Sequence, residues 1–187
     1  MNATVPLAPV HDASCVAKLL GIDYTAEQIA GFGPPPETLD GFVTFFDPGL
    51  SILALRAAVK ERGRVLYPQS WYNNEPFAKV EDGPRYRQVR MHPVPNSTRL
   101  TFDEQIVLVP DGEEVPTARV VVTAVVIHFL ATGKRLLPNV YVRCASHTLR
   151  GYRVDVGFFG ADGLLVSVDW RDNRYDSVGL ASSRKFQ

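Results

Sequence analysis

Four histidines, two cysteines and a run of aspartates late in the chain are the side chains whose types could do chemistry. His11, His92, His128 and His147 are never paired at i, i+4, and neither HExxH nor CxxC occurs. The expectation is therefore no metal site and no cofactor. His128 lies inside an apolar run and reads as a satisfied core or edge histidine. Cys144 and His147, three apart near a strand end, have the types for half a metal site or a thiolate–imidazole pair. No third ligand accompanies them, so a buried thiol beside an exposed loop histidine is the plainer reading. G-x-S-x-G is absent, S-x-x-K has no suitable context, and Gly157-x-x-Gly160-x-x-Gly163 spans a hairpin rather than the strand-to-helix turn of a phosphate loop.

Charge is segregated along the sequence. Twenty basic and 20 acidic side chains sum to zero, which argues against a basic nucleic-acid binder. Yet residues 115–154 hold six basic side chains and no acid, residues 83–102 hold four arginines and no acid, and residues 155–176 hold five aspartates against Arg171 and Arg174. Arg143, Arg153, Asp155 and Asp169 alternate with apolar residues, so they point away from the apolar face of their strands. Two readings follow. One is a set of cross-strand ion pairs. The other is an anion-binding surface, since arginine outnumbers lysine 15 to 5 and its planar fork suits phosphate or carboxylate. In an enzyme, Asp155 or Asp169 would be the acid–base group, with Arg143 and Arg153 stabilising an anion. Trp71, Tyr72 and Glu75 sit in a proline-bounded loop, a place where aromatics bind; alternatively Trp71 and Phe77 plug the side of the core. Trp170, between Asp169 and Asp172, has the company of a sugar-binding platform but core spacing in its strand, and burial is expected.

Where these groups lie depends on the elements that carry them. Asp12 caps a predicted helix that runs to Leu20 and stops at Gly21, and Thr25 caps a short one ending near Gly31. Pro34-Pro35-Pro36 is a stiff connector. Residues 38–46 are ambiguous, with Leu39, Phe42, Val43 and Phe46 at helical spacing. Asp47-Pro48-Gly49 is a turn. Residues 51–62 read as a helix with Ile52, Leu55 and Val59 in its apolar stripe and Gly63 as its stop. Seven prolines between 68 and 116 keep the middle irregular. It holds a short strand at 86–91 and a short helix at 101–109, opened by a Thr101/Glu104 capping box.

Residues 117–132 favour a strand by their valines, but about sixteen residues without a turn is long for one. A helix capped by Thr117 and stopped by Gly133 is predicted, apolar nearly all round and therefore central. After residue 140 three alternating runs follow, two of them joined at Ala161-Asp162-Gly163, and residues 174–181 add a less regular fourth. The predicted class is α+β. A small helical N-terminal region, residues 1–65, precedes an α+β domain, residues 66–187, whose antiparallel β-meander packs on one long buried helix.

A set of motifs stands out: Trp71-Tyr72-x-x-Glu75-x-Phe77-Ala78, Pro93-Val94-Pro95-Asn96-Ser97, Thr101-x-x-Glu104-Gln105, Tyr141-Val142-Arg143, Gly151-Tyr152-Arg153-Val154-x-Val156-Gly157 and Gly179-Leu180-Ala181-Ser182. From about Trp71 to Lys185 this set resembles a group of uncharacterised bacterial hypothetical proteins. The resemblance implies no activity and carries over no catalytic residue. Members of that group tend to be acidic just before the Gly151-Tyr152 position. Residues 146–150 here carry no carboxylate, which speaks against a calcium-type site there.

The first ten residues hold two prolines and no basic stretch, so no signal peptide is expected. The longest apolar run, residues 120–131, falls short of the about 20 residues a membrane span needs, and residues 183–187 carry no lipidation signal. A soluble, cytoplasmic protein with reduced thiols is expected. Its expected role is a non-enzymatic binding or protein-interaction module, whose ligand meets an arginine-rich sheet face and the Trp71–Glu75 loop. Its expected partner is a protein or a small anionic ligand, not a membrane, and nucleic acid is disfavoured. The alternative is a small hydrolase or transferase acting on a phosphorylated or glycosidic substrate.

Overall fold

The computed structural model describes residues 8–185. The readings made on residues 1–7 and on the last two residues lie outside the described residues. Local chemistry places the helices. Asp12 caps α1 (Ala13–Leu20) by accepting from the Cys15 N–H, and Gly21 ends it in the left-handed region. Thr25 and Gln28 form the capping box of α2 (Ala26–Gly31). Ser51 caps α3 (Ile52–Ala58), which tightens into a 3-10 turn at Lys60–Arg62. Thr101 and Glu104 form the capping box of α4 (Phe102–Ile106). At the start of α5 (Ala118–Thr132) the Thr117 side chain makes no capping bond. Instead the Ala118 N–H donates to Ser146 Oγ at 3.0 Å.

The strands are β1 (Val10–His11), β2 (Phe42–Asp47), β3 (Arg85–Arg90), β4 (Glu113–Glu114), β5 (Tyr141–His147), β6 (Arg153–Gly160), β7 (Gly163–Asp169), β8 (Val178–Leu180) and β9 (Ser183–Arg184). The class is α+β, but the single antiparallel sheet expected is replaced by two mixed sheets. One has the order β1-β2-β3-β9-β4, the other β7-β6-β5-β8. β1 runs parallel to β2, and β8 parallel to β5. In each pair the intervening chain is long enough to return in the same direction, which a tight hairpin cannot do.

The ambiguous residues 38–46 resolve into β2. All six of its residues are buried because both faces are covered, and a doubly covered strand needs no polar alternation. On one side Phe46 packs against Phe32, Tyr24 and Tyr86 at centroid distances of 4.5, 6.0 and 5.5 Å. On the other, Asp47 reaches α5, where it accepts two hydrogen bonds of 2.9 Å from Arg119 and one of 2.7 Å from Arg87 Nε.

Residues Ala118 to His128 of α5 are all buried. They share one core with Val43 and Phe45 of the first sheet and Val142, Val154, Val156 and Val166 of the second. The chain crosses between the sheets at a corner: the Ala181 N–H donates to Arg143 O and the Arg90 N–H to Ser182 O. The region expected to be helical, residues 1–65, thus supplies two strands to a sheet completed by residues 85–90, 113–114 and 183–184. Residue 65 falls between strands of one sheet. No helix among the described residues is long and apolar enough to cross a membrane.

Candidate functional site

Arg143, Arg153, Asp155 and Asp169 do come together on one face of the second sheet, with Arg143 opposite Asp155 and Arg153 opposite Asp169. One expectation about them fails and the other holds only in part. The face is not open: α4 and the turn at residues 170–174 roof it, leaving Arg143 fully buried and Asp155 2% exposed. Nor are the directly opposed residues the ion pairs. Arg143 reaches past Asp155 to Asp169 Oδ2 at 2.6 Å, and also donates to Leu100 O at 2.9 Å, Gln105 Oε1 at 3.2 Å and Asn173 O at 2.8 Å. Arg153 donates to Ala145 O at 2.8 Å and lies 4.0 Å over the Phe102 ring. A cation held between a carbonyl and an aromatic face needs no carboxylate.

Among the described residues Asp155 is left with Oδ1 unpartnered, and Arg143 with Nε unpartnered. Burial pushes the Asp155 carboxyl up to about 7; the Arg143 charge opposes this and the Asp169 charge adds to it. This is the environment of a general acid, enclosed where no substrate reaches it.

The motifs meet in the same roof. Gln105 donates to Ser97 O at 2.7 Å and Val178 O at 3.2 Å while accepting from Arg143. The Leu180 N–H donates to Ser97 Oγ at 2.9 Å, and the Val94 N–H to Leu180 O. Gly179 is required for this fit, since a Cβ there would lie 2.6 Å from Pro93 Cβ. These motif residues hold backbone and side chains to one another.

The Trp71–Glu75 loop lies elsewhere. Tyr72 and Phe77 belong to the core shared with α5, on the face of the sheet opposite Arg143. Tyr72 is fully buried, and its hydroxyl has no partner among the described residues. Glu75 accepts from the Leu149 N–H at 2.9 Å. Trp71 is 38% exposed and donates its indole N–H to Val166 O at 3.2 Å. The arginine face and this loop, expected to form one site, are not brought together.

The loop and the segment before it seal the edge of β7. Leu164 exchanges hydrogen bonds with Val65 and Tyr67, and the Val166 N–H donates to Gln69 Oε1 at 3.2 Å. In the alternation of a ladder, Val168 is the next residue to turn its N–H and C=O outward, and neither has a partner among the described residues. Exposed apolar side chains lie on this edge and on the neighbouring turn. Val168 is 37%, Leu149 76% and Trp170 57% exposed, with Trp170 4.3 Å from the Tyr152 ring. Burial of Trp170 was the expectation. Val166 is fully buried and Val168 is not, so the cover of the inward face has already run out two residues before Trp170. Sequence alternation shows which face a residue takes, but not how far that face is covered.

Cys144 sits in the core, where burial pushes its thiol well above the usual range, while His147 lies at the exposed strand end. His128 is buried, with its Nδ1 3.2 Å from Nε2 of His11, a pairing sequence spacing could not show. Among the described residues no three His, Cys, Asp or Glu side chains cluster closely enough to hold a metal ion. No protein-family model, curated protein or solved structure matches the chain.

Proposed function

We propose that the chain is a binding module that docks an extended peptide segment of a partner protein at the open end of β7. One observation carries this reading: the N–H and C=O of Val168, without partners among the described residues, lie on the edge that Trp71 contacts at Val166 O, two residues before exposed Trp170. A bare strand edge offers one donor and one acceptor to another backbone, and apolar neighbours accept its side chains. Tryptophan anchors of this kind dominate many interfaces. The chain's own residues 65–71 already dock on the same edge one step earlier. The enzymatic alternative would need Asp155 or Asp169; Asp155 is 2% exposed, and Asp169 accepts from Arg143, Asn173 and the Trp170 N–H.

The reading assumes the cytoplasm, where Cys15 and Cys144 stay as free thiols. It also includes kinship with the bacterial group that carries the same motifs, whose members would share the frame built from them.

Selection of a random peptide library against the folded protein tests the proposal. Peptides with alternating apolar residues are expected to be enriched. Their binding should weaken about tenfold or more with Val168→Pro, which removes the outward N–H together with the exposed valine side chain, and with Trp170→Ala. Enriched peptides that bind both variants as well as the parent, or no enrichment, would overturn it.

A further inference from the structure

On the other side of the segment that seals β7, residues 63–70 run beside α3 and leave an open groove of about 680 Å³. That volume is within the range of small-molecule sites. Leu53, Ala57, Leu66 and Pro68 give it an apolar wall. Arg56, Lys60 and Arg64 supply its charge, and no carboxylate lines it.

The key cation is Arg56. It is half-buried and held in place, donating to Gln69 O at 2.6 Å and to Asn73 Oδ1 at 2.7 Å with its guanidinium 5.1 Å from the Tyr72 ring centre. All of these partners are neutral, and no carboxylate pairs with Arg56 among the described residues. Two neutral acceptors and a ring face hold the guanidinium without cancelling its charge, so an anion entering the groove meets a fixed positive charge. Lys60, at the start of the 3-10 turn that follows α3, adds a second positive charge to the lining. Arg64 is engaged at the rim by Asp162.

We infer that this groove binds an amphipathic carboxylate: one anionic head between Arg56 and Lys60, and an aliphatic or aromatic body along Leu53, Ala57, Leu66 and Pro68. One fixed guanidinium beside one ammonium, with no carboxylate in the lining, calls for a single anionic head. The apolar wall calls for a body that a bare inorganic anion lacks. The site is independent of the peptide edge at Val168, so either can fail alone.

Octanoate, titrated calorimetrically into the full chain, is the probe. Saturable binding is expected. Acetate, which lacks the body, and octanamide, which lacks the charge, should each bind about tenfold more weakly or worse. Lys60→Gln should weaken octanoate about threefold or more. Ala57→Trp, at an exposed position, should block it by filling the groove, with melting temperatures of both variants close to the parent's. Absence of saturable octanoate binding, equal binding of octanamide, or unchanged binding to Ala57→Trp would each refute the assignment.

Discussion

Asp155 and Arg143 show how little a residue's type says about its job. Both have the chemistry of catalysis, and both are spent inside the protein. Their burial has a measurable consequence. Folded, Asp155 keeps its proton up to about pH 7, against the usual 3.8. Between those values the folded state binds more protons than the unfolded one, so this group lowers stability as pH rises through that window and has its full effect above it. Asp155→Asn removes the contribution. Urea unfolding at pH 8 should show the variant more stable by about 2 kcal/mol, with the difference vanishing below about pH 4. A variant that is less stable at pH 8 would mean that the carboxylate is needed ionised, as a partner of Arg143.

Elements here are fixed less by their own propensities than by what they touch. The strand β8 lies where it does because Gly179 lets Pro93 and Ser97 approach its backbone. Neither neighbour is the flexible end of a long side chain, so an added methyl has no room to make. Gly179→Ala should cost about 2 kcal/mol, a fall of roughly 4–8 °C in melting temperature for a chain of this size. Combining it with Pro93→Gly should recover part of that loss; if the pair is no better than the single variant, the clash lies elsewhere. α5 makes the same point differently. Its valines favour a strand, yet contacts with both sheets and the Arg119–Asp47 pairing hold it as a helix.

At the level of the whole molecule, charges segregated in sequence are matched in space. Arg90 pairs with Glu113, Arg99 with Asp176, Arg119 with Asp47 and Arg143 with Asp169. Each acid-free stretch meets carboxylates from another part of the chain, which ties the parts together. The first sheet does the same, since β3 lies between β2 and β9. A chain cut to residues 66–187 would expose the flank of β3 and leave Arg119 and Arg87 without Asp47. It should therefore be unfolded by far-ultraviolet circular dichroism and show no cooperative urea transition. A cooperative transition in that fragment would show that the second sheet and α5 suffice as a folding unit.

Sequence alone determined what is local. Caps at Asp12, Thr25 and Thr101, stops at Gly21 and Gly133, the hairpin at Asp162-Gly163 and the alternation of β5 to β7 all follow from bonds and periodicities within a few residues. It also placed Arg143, Arg153, Asp155 and Asp169 on one sheet face, because alternation sets facing. Only the tertiary structure decided that this face is roofed and Trp170 bare, that β2 is a strand, and that two sheets rather than one surround α5. It alone left Arg56 without a carboxylate, and Val168 without a backbone partner, among the described residues. Burial, pairing and the reach of a covering element are set by residues distant in the chain, and no short-range pattern encodes them.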